Sequence, residues 1–348
     1  MTTTADENEL YRILFHYDFQ PVHMERKGSV LKIETHRGSF ALKGTPMSES
    51  QQRTFLAARQ AIAGLSINAL PLLPNKYGGL IINNESKCYY LMPWINETAK
   101  DVYAKYERLI DAAAFMHSGT KRTVKRNKEE TNIFYKQMLD VWQKRKAFFE
   151  RFADFAEHRT YPSPFEQFYL TTFALLMREH EQMRNVLDQW FQGNAENEEA
   201  AIVLCHHRLS PEHLLTADEQ NYLISLEHAY LDSPAVDLVY LFKSAGEDLR
   251  LDDEQYKNLI QRYQAICPLP RQEKLLLKSL IHDTDIFYKM LAGYSENTAP
   301  RSSDMAMIER WSKALSAIEG IYHLDQALSQ NDETDQTKSS PSENKHKS

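Results

Sequence analysis

Glycine is scarce in this chain: 11 in 348 residues, about 3% where about 7% is usual. So few glycines leave little room for several glycine-rich loops around phosphate, and neither a G-x-G-x-x-G pattern nor a P-loop occurs. A G-x-S-x-G elbow is missing as well, so a hydrolase of that type has no support. Cysteine is scarcer still. Cys88, Cys205 and Cys267 lie far apart, an odd number with no C-x-x-C, which fits a reduced cytosolic protein better than a disulfide framework. No stretch approaches the ~20 apolar residues of a membrane span. Met1 to Leu10 contain Asp6, Glu7 and Glu9 and no apolar run, so no secretory signal is expected. The protein is expected to stay on the side of the membrane where it is made. A basic excess is lacking too: a net charge of −7 argues against nucleic acid or an anionic membrane as the main partner.

What is present is globular. Hydrophobic residues make up 42%, aromatics 11% and charged residues 26%, with 18 Tyr and 16 Phe, too many for a disordered chain. The length suits one large or two modest domains. The first ~95 residues read as a small strand-rich unit with one helix. Val30 to Lys43 alternate apolar and polar residues on both sides of His36-Arg37-Gly38, the pattern of a hairpin with glycine at its turn. A helix capped by Ser48 follows, with Glu49 in its first turn and Phe55, Leu56 and Ile62 on its apolar stripe as far as Gly64. Leu80-Ile81-Ile82 and Cys88 to Met92 form a second hairpin pattern that ends at Pro93-Trp94.

From about Val102 the periodicity turns helical. Helices are expected over Tyr103–Met116, Asn132–Ala156 and about Pro164–Phe191, interrupted by strands Ala201–Cys205 and Asn221–Leu226, and resuming to about Leu328. Phe134, Met138, Trp142, Phe149, Phe152 and Phe155 form a stripe read as core. Lys121 to Lys146 holds nine Lys or Arg against three acidic residues, read as a solvated face rather than a polyanion dock. Ser329 to Ser348 are polar with no aromatic residue and read as a disordered tail.

The chemistry-bearing residues gather after the strand AIVLC. Its loop reads His206-His207-Arg208-Leu209-Ser210-Pro211-Glu212-His213, and the next strand, Tyr222 to Ala229, leads to Asp232-Ser233-Pro234-Ala235-Val236-Asp237-Leu238. Cys205, His206, His207 and His213 are all potential metal ligands. Adjacent ligands on an extended segment point to opposite sides, however, and the spacing is not that of a zinc motif. His206 is therefore expected to be packed and hydrogen-bonded beneath the loop.

A strand-rich unit ending in Ala41-Leu42-Lys43, the segment Tyr90 to Trp94, and a helical part with these paired loops resemble the protein kinase-like fold of aminoglycoside phosphotransferases and choline kinases. In that superfamily the first loop reads H-G-D-x-x-x-x-N and the second segment I-D-F-[DE]-x-A followed by G-D-P-x-x-D-L. By residue, His206 matches the His, His207 the Gly, Arg208 the catalytic Asp and His213 the metal-binding Asn. Ile224 matches the Ile, Ser225 the metal-binding Asp, Leu226 the Phe, Glu227 the acidic residue and Ala229 the Ala. Asp232 stands for the Gly and Ser233 for the Asp, while Pro234, Asp237 and Leu238 are retained. Phosphoryl transfer needs a carboxylate to orient the nucleophile and ligands that hold Mg²⁺ on the phosphates. Arg208 cannot act as a base, and Ser225 is a weak neutral ligand for a hard cation. Lys43 matches the lysine that reaches the nucleotide phosphates, with Glu49 as its candidate helix partner. The alternative for Lys43 is a solvated lysine at a strand end. Lys27-Gly28-Ser29 stands where the phosphate loop would be.

The resemblance implies an α+β, bilobal kinase-like fold. Residues 10–95 would form a small β-rich N-lobe and 96–328 a mainly helical C-lobe with remnant catalytic loops, with 1–9 as an N-terminal extension and 329–348 as the tail. Within the superfamily, KGSVLKIETHRGSFALKG and YYLMPWINE are similar to CotS-like spore coat proteins of endospore-forming bacteria, the YsxE-type branch above all. That branch implies a protein made in the mother-cell cytoplasm and deposited in the spore coat, with other coat proteins as partners. It implies a non-catalytic, pseudokinase-like role in which ATP or a small molecule is a candidate ligand and no catalytic residue or metal site survives. The rival is an active small-molecule phosphotransferase using ATP, with Glu227 or Asp232 as a relocated metal ligand. A third reading is a sensor that binds a metabolite without chemistry.

Overall fold

The computed structural model describes residues 4–65, 67–84, 87–99, 101–196, 199–249, 251–295 and 304–338. Contacts divide the chain into two units, Met1–Asp101 with Pro211–Tyr230, and Val102–Ser210 with Leu231–Ser348. The first opens with helix α1 (Thr4–Leu14), strands β1 (His23–Lys27), β2 (Val30–Thr35) and β3 (Gly38–Thr45), helix α2 (Glu49–Ile62), and strands β4 (Asn68–Ala69), β5 (Ile82–Asn83) and β6 (Cys88–Pro93). The second begins with α3 (Val102–Thr120), β7 (Arg122–Lys125), α4 (Lys128–Glu157), α5 (Pro164–Glu196) and β8 (Glu199–Cys205). The chain returns to the first unit for β9 (Leu214–Ala217), β10 (Gln220–Leu223) and a single 3₁₀ turn, Leu226–His228. After β11 (Tyr230–Asp232) come α6 (Pro234–Asp248), α7 (Asp253–Ile266), α8 (Arg271–Ile281), α9 (Asp285–Ser295) and α10 (Asp304–Lys338). This is an α+β chain, β-rich at its start and mainly helical after it.

The first unit is built on an antiparallel sheet of order β1-β2-β3-β6-β5. Thr35 pairs with Gly38, so the β2–β3 turn is the two residues His36-Arg37, and Gly38, at φ 124°, supplies a backbone angle that side chains resist. Strand alternation then sorts the side chains. Leu42, Tyr89 and Leu91 face one side with Ile33 and Ile82, where Ile13, Leu14 and Tyr17 cover them. The residues expected to be a bare N-terminal extension therefore begin a helix, α1, whose last turn is core. Glu9 ties it down by accepting from the Tyr89 hydroxyl (2.7 Å) and the Asn84 amide (2.6 Å).

Helix α2 starts where expected. Ser48 Oγ accepts from the Gln51 N–H and the Gln51 side chain accepts from the Ser48 N–H, a reciprocal cap. It buries Phe55, Ala58 and Ile62, and the Phe55 ring meets that of Tyr90 at 5.0 Å between centroids. Lys43 and Tyr90 are directly opposed across β3 and β6 and so share a face.

Pro211–Tyr230, expected in the helical part, groups with the first unit because β10 pairs in parallel with β4 (Tyr222 with Asn68, Leu223 with Ala69) and antiparallel with β9. Thr98 adds two bonds to the Thr216 carbonyl, from its N–H (3.0 Å) and its hydroxyl (2.8 Å). The strand expected over Asn221–Leu226 stops at Leu223, since Ser225 takes a left-handed backbone (φ 62°, ψ 42°) and starts the 3₁₀ turn.

In the second unit, Phe149, Phe152, Phe165, Tyr169, Phe287 and Trp311 belong to one buried cluster. Trp142, Phe149 and Phe152 of the expected core stripe are buried and Phe134 and Met138 half-buried, but Phe155 is 53% exposed, its ring covered on one side by the Arg159 guanidinium. The basic run is not simply solvated. Arg145 is largely buried and pairs with Asp283 and Asp285, and Lys146 pairs with Glu181 at 2.8 Å. Helix α10 continues to Lys338, about ten residues into the expected tail. Residues 329–338 contain neither Gly nor Pro, so nothing local stops the helix. Residues 339–348 of that tail lie outside the described residues. No helix among the described residues is long and apolar enough to cross a membrane.

Gly44 shows how closely the first unit is packed. A Cβ there would run into the ring of its cross-strand partner Tyr89. Gly44→Ala is expected to cost about 1–3 kcal/mol in urea unfolding, as overpacked sites do; a loss below about 0.5 kcal/mol would contradict this packing.

Candidate functional site

Two arrangements carry the residues singled out by the sequence, one in each unit. In the first, Lys43 reaches from β3 and Tyr90 from β6, while the 3₁₀ turn after Ser225 brings Glu227 to meet them. Lys43 Nζ lies 2.7 Å from Glu227 Oε1 and donates to Ser225 Oγ at 2.8 Å. The Tyr90 hydroxyl donates to the same Glu227 Oε1. Only 13% of the Lys43 side chain and 2% of the Glu227 side chain are exposed, so this is a buried ion pair rather than a solvated strand-end lysine.

Burial alone would raise the Glu227 pKa. The Lys43 charge and hydrogen bond, with the Tyr90 hydroxyl, outweigh it and hold the carboxyl below its ordinary value. Burial, with Glu227 beside it, pushes the Tyr90 phenol well up, so it keeps its proton and donates. Burial lowers Arg59 of α2, partly offset by Tyr90 and Glu227. Glu49, the candidate partner for Lys43, is exposed in the first turn of α2. Glu227 takes that role because the 3₁₀ turn packs against α2.

Ser225 and His207 both have φ 62°. Glycine adopts this left-handed conformation freely and Asn, Asp and His visit it more often than other residues, whereas Ser225 holds it at a cost of ~1–2 kcal/mol. Lys27-Gly28-Ser29 is a tight hairpin in which Lys27 pairs with Val30 and Gly28 has φ 58°.

The second arrangement centres on Asp237 in the first turn of α6. Fully buried, it accepts the His206 N–H (2.6 Å), the His207 N–H (2.7 Å) and His117 Nε2 (3.1 Å). His117 Nδ1 is in turn 2.8 Å from the Tyr263 hydroxyl. Burial opposes the Asp237 charge, yet His117 and His206 hold its pKa below the ordinary value. The carboxylate pins the loop backbone in place. His206 is buried, and its Nδ1 accepts from the Arg208 N–H at 3.2 Å. The Arg208 side chain is exposed. His213, in the first unit, uses its carbonyl to accept the Ile224 N–H. Asp232 accepts the N–H of Ser233, which caps α6 and donates its hydroxyl to Glu273. His117 and Tyr263 were invisible to motif reasoning: a lone His near the end of an amphipathic helix and a Tyr far along the chain carry no local signal.

The fold family implies a divalent cation near position 225, and the residues present do not fit one. Ser225 offers a hydroxyl that already accepts from Lys43, and the nearest carboxylate oxygen, Glu227 Oε1, holds an ammonium and a phenol. Glu227 Oε2 is buried and takes no hydrogen bond from a described side chain, but it alone cannot supply the near-octahedral oxygen shell of Mg²⁺. Among the described residues, the potential ligand atoms that come together are those of His117, Cys205 and Asp237. These are engaged as well. The Cys205 thiol, pushed far up by burial, donates to the Ser233 carbonyl, and the other two hold each other and the loop.

No family model and no curated protein matches the chain. Solved structures do. An aminoglycoside phosphotransferase from Alicyclobacillus acidocaldarius subsp. acidocaldarius superposes with TM-score 0.74 at 15% identity, over 91% of this chain and 95% of that one. The AMP-bound complex of a spectinomycin phosphotransferase gives 0.60 at 12%, over 90% and 98%. Amicoumacin kinase with AMP-PNP, Ca²⁺ and its substrate gives 0.54 at 12%, over 91% and 94%. The protein therefore has the kinase-like fold of small-molecule phosphotransferases.

Two outcomes follow from the two carboxylates. Asp237→Ala strands two N–H groups and an imidazole and is expected to cost about 3–5 kcal/mol in urea unfolding; less than about 1 kcal/mol would contradict its central place. Glu227, with its lowered pKa, adds stability that is complete above the ordinary Glu range near ~4.3 and fades as pH falls through the lowered value. The difference between wild type and Glu227→Gln should shrink on acidification. A gap that stays constant from neutral pH to about pH 3 would contradict the pairing.

Proposed function

We propose that this protein is a non-catalytic, pseudokinase-like component of the spore coat, made in the mother-cell cytoplasm, that acts in coat assembly by binding other coat proteins. The observation that carries the non-catalytic part is the engagement of Lys43 by Glu227 and Ser225, taken together with a sequence in which Arg208 and His213 stand where the pattern has the catalytic Asp and the metal-binding Asn. An arginine keeps its proton and cannot accept one from a hydroxyl. The spore coat part is supported by the likeness of KGSVLKIETHRGSFALKG and YYLMPWINE to the CotS-like, YsxE-type proteins. Two fold neighbours hold adenine nucleotides, AMP and AMP-PNP. ATP is accordingly the first ligand to try with this chain.

The second reading, an active small-molecule phosphotransferase, is favoured by the company of the fold, since the neighbours are an aminoglycoside phosphotransferase, a spectinomycin phosphotransferase and amicoumacin kinase. Its relocated metal ligand would be Glu227 or Asp232. Glu227 is already neutralised by Lys43, which weighs against it.

The test is ATP consumption with Mg²⁺ or Mn²⁺ against amino alcohols, aminoglycosides and extracted coat proteins. The expected result is no product above a Lys43→Ala control; turnover lost in that control overturns the non-catalytic reading. Immunodetection in coat extracts, and its absence from the mother-cell lysate of mature sporangia, tests the location separately.

A further inference from the structure

A cation already sits beside Ser225, and the chain supplies it. Lys43 Nζ sits within 2.8 Å of both Ser225 Oγ and Glu227 Oε1, two oxygens from a turn that in the superfamily's pattern carries the metal-binding Asp. The strained backbone at Ser225 (φ 62°) presents this hydroxyl to the ammonium. We infer that the Lys43 ammonium takes the place of the divalent cation, so that the turn Ser225–Glu227 is charge-balanced and closed by a protein side chain instead of a metal. The inference deepens the non-catalytic reading and rests on it.

Charge and geometry support the substitution. A hard divalent ion gathers six or more oxygens at 2.0–2.6 Å, anionic ones first. Of the oxygens here, one is a neutral hydroxyl and one is shared by an ammonium and a phenol. A second cation beside Lys43 would meet like charge in a poorly solvated pocket where such repulsion is strong. An ammonium asks less, for it brings three donors and one charge. Ser225 and Glu227 each accept one of those donors, which balances the Glu227 charge without metal, although Glu227 Oε2 stays buried with no hydrogen bond from a described side chain.

The consequence is reciprocal. With Lys43 in place, Mg²⁺ and Mn²⁺ gain nothing from this turn. With the ammonium removed, a buried carboxylate is left unbalanced, and a divalent cation becomes the natural replacement. Lys43→Ala is thus expected to lower the melting temperature of the full-length protein, and millimolar Mg²⁺ or Mn²⁺ to restore at least about half of the loss, since ligand bound to the native state alone raises it. The double variant Lys43→Ala, Glu227→Gln should show no such recovery. Wild type titrated with Mn²⁺ and followed by electron paramagnetic resonance should leave the ion free.

Stoichiometric Mn²⁺ on the wild type overturns the inference, and so does a folded Lys43→Ala protein indifferent to metal. Should that variant not fold, the wild-type titration decides alone. Failure here is separable from failure of the non-catalytic reading, because that reading falls on phosphorylated product whereas this one falls on bound metal.

Discussion

A buried lysine–glutamate pair organises the first unit. Lys43 and Tyr90 are neighbours across two strands, and their polar ends converge on one oxygen of Glu227, a residue far away in sequence. Removing one partner of such a pair leaves an uncompensated charge in a poorly solvated place, which costs far more than the intact pair contributes. This asymmetry ties together the register of β3 and β6, the packing of the 3₁₀ turn on α2 and the left-handed backbone at Ser225. The return of Pro211–Tyr230 to the first unit belongs to the same construction, since β10 lying beside β4 carries the turn to its place.

The second unit uses its carboxylate in a comparable way. Asp237 accepts two loop N–H groups and meets an imidazole. Both units thus invest their buried carboxylates in holding backbone and side chains. Glu227 and Asp237 are thus both engaged within a fold like that of small-molecule phosphotransferases.

Local chemistry was legible in the sequence wherever it governed local structure. Gly38 marked the β2–β3 turn, Ser48 marked the start of α2, and the period of Trp142, Phe149 and Phe152 marked a core helix. Long-range pairing was not. The sequence pointed to Glu49 for Lys43 because it is near and acidic, while the strand register and the turn after Ser225 favour Glu227. Similarly, Asp237 was legible through the P-x-x-D-L pattern, but His117, which it holds, sits on the buried face of an amphipathic helix with nothing to single it out. At the far end, composition suggested a tail where an uninterrupted run of helix-compatible residues lets α10 carry on to Lys338. Polarity limits burial, but by itself it does not stop a helix already anchored by a packed stretch.

Lys43 and Glu227 are committed to each other. A double-mutant cycle on unfolding free energy, using Lys43→Met and Glu227→Gln, measures that commitment directly. Strong coupling is expected, more than about 1.5 kcal/mol, with the double variant more stable than the two single losses would sum to. Additivity within about 0.5 kcal/mol would show that the two side chains do not depend on each other, and would contradict it.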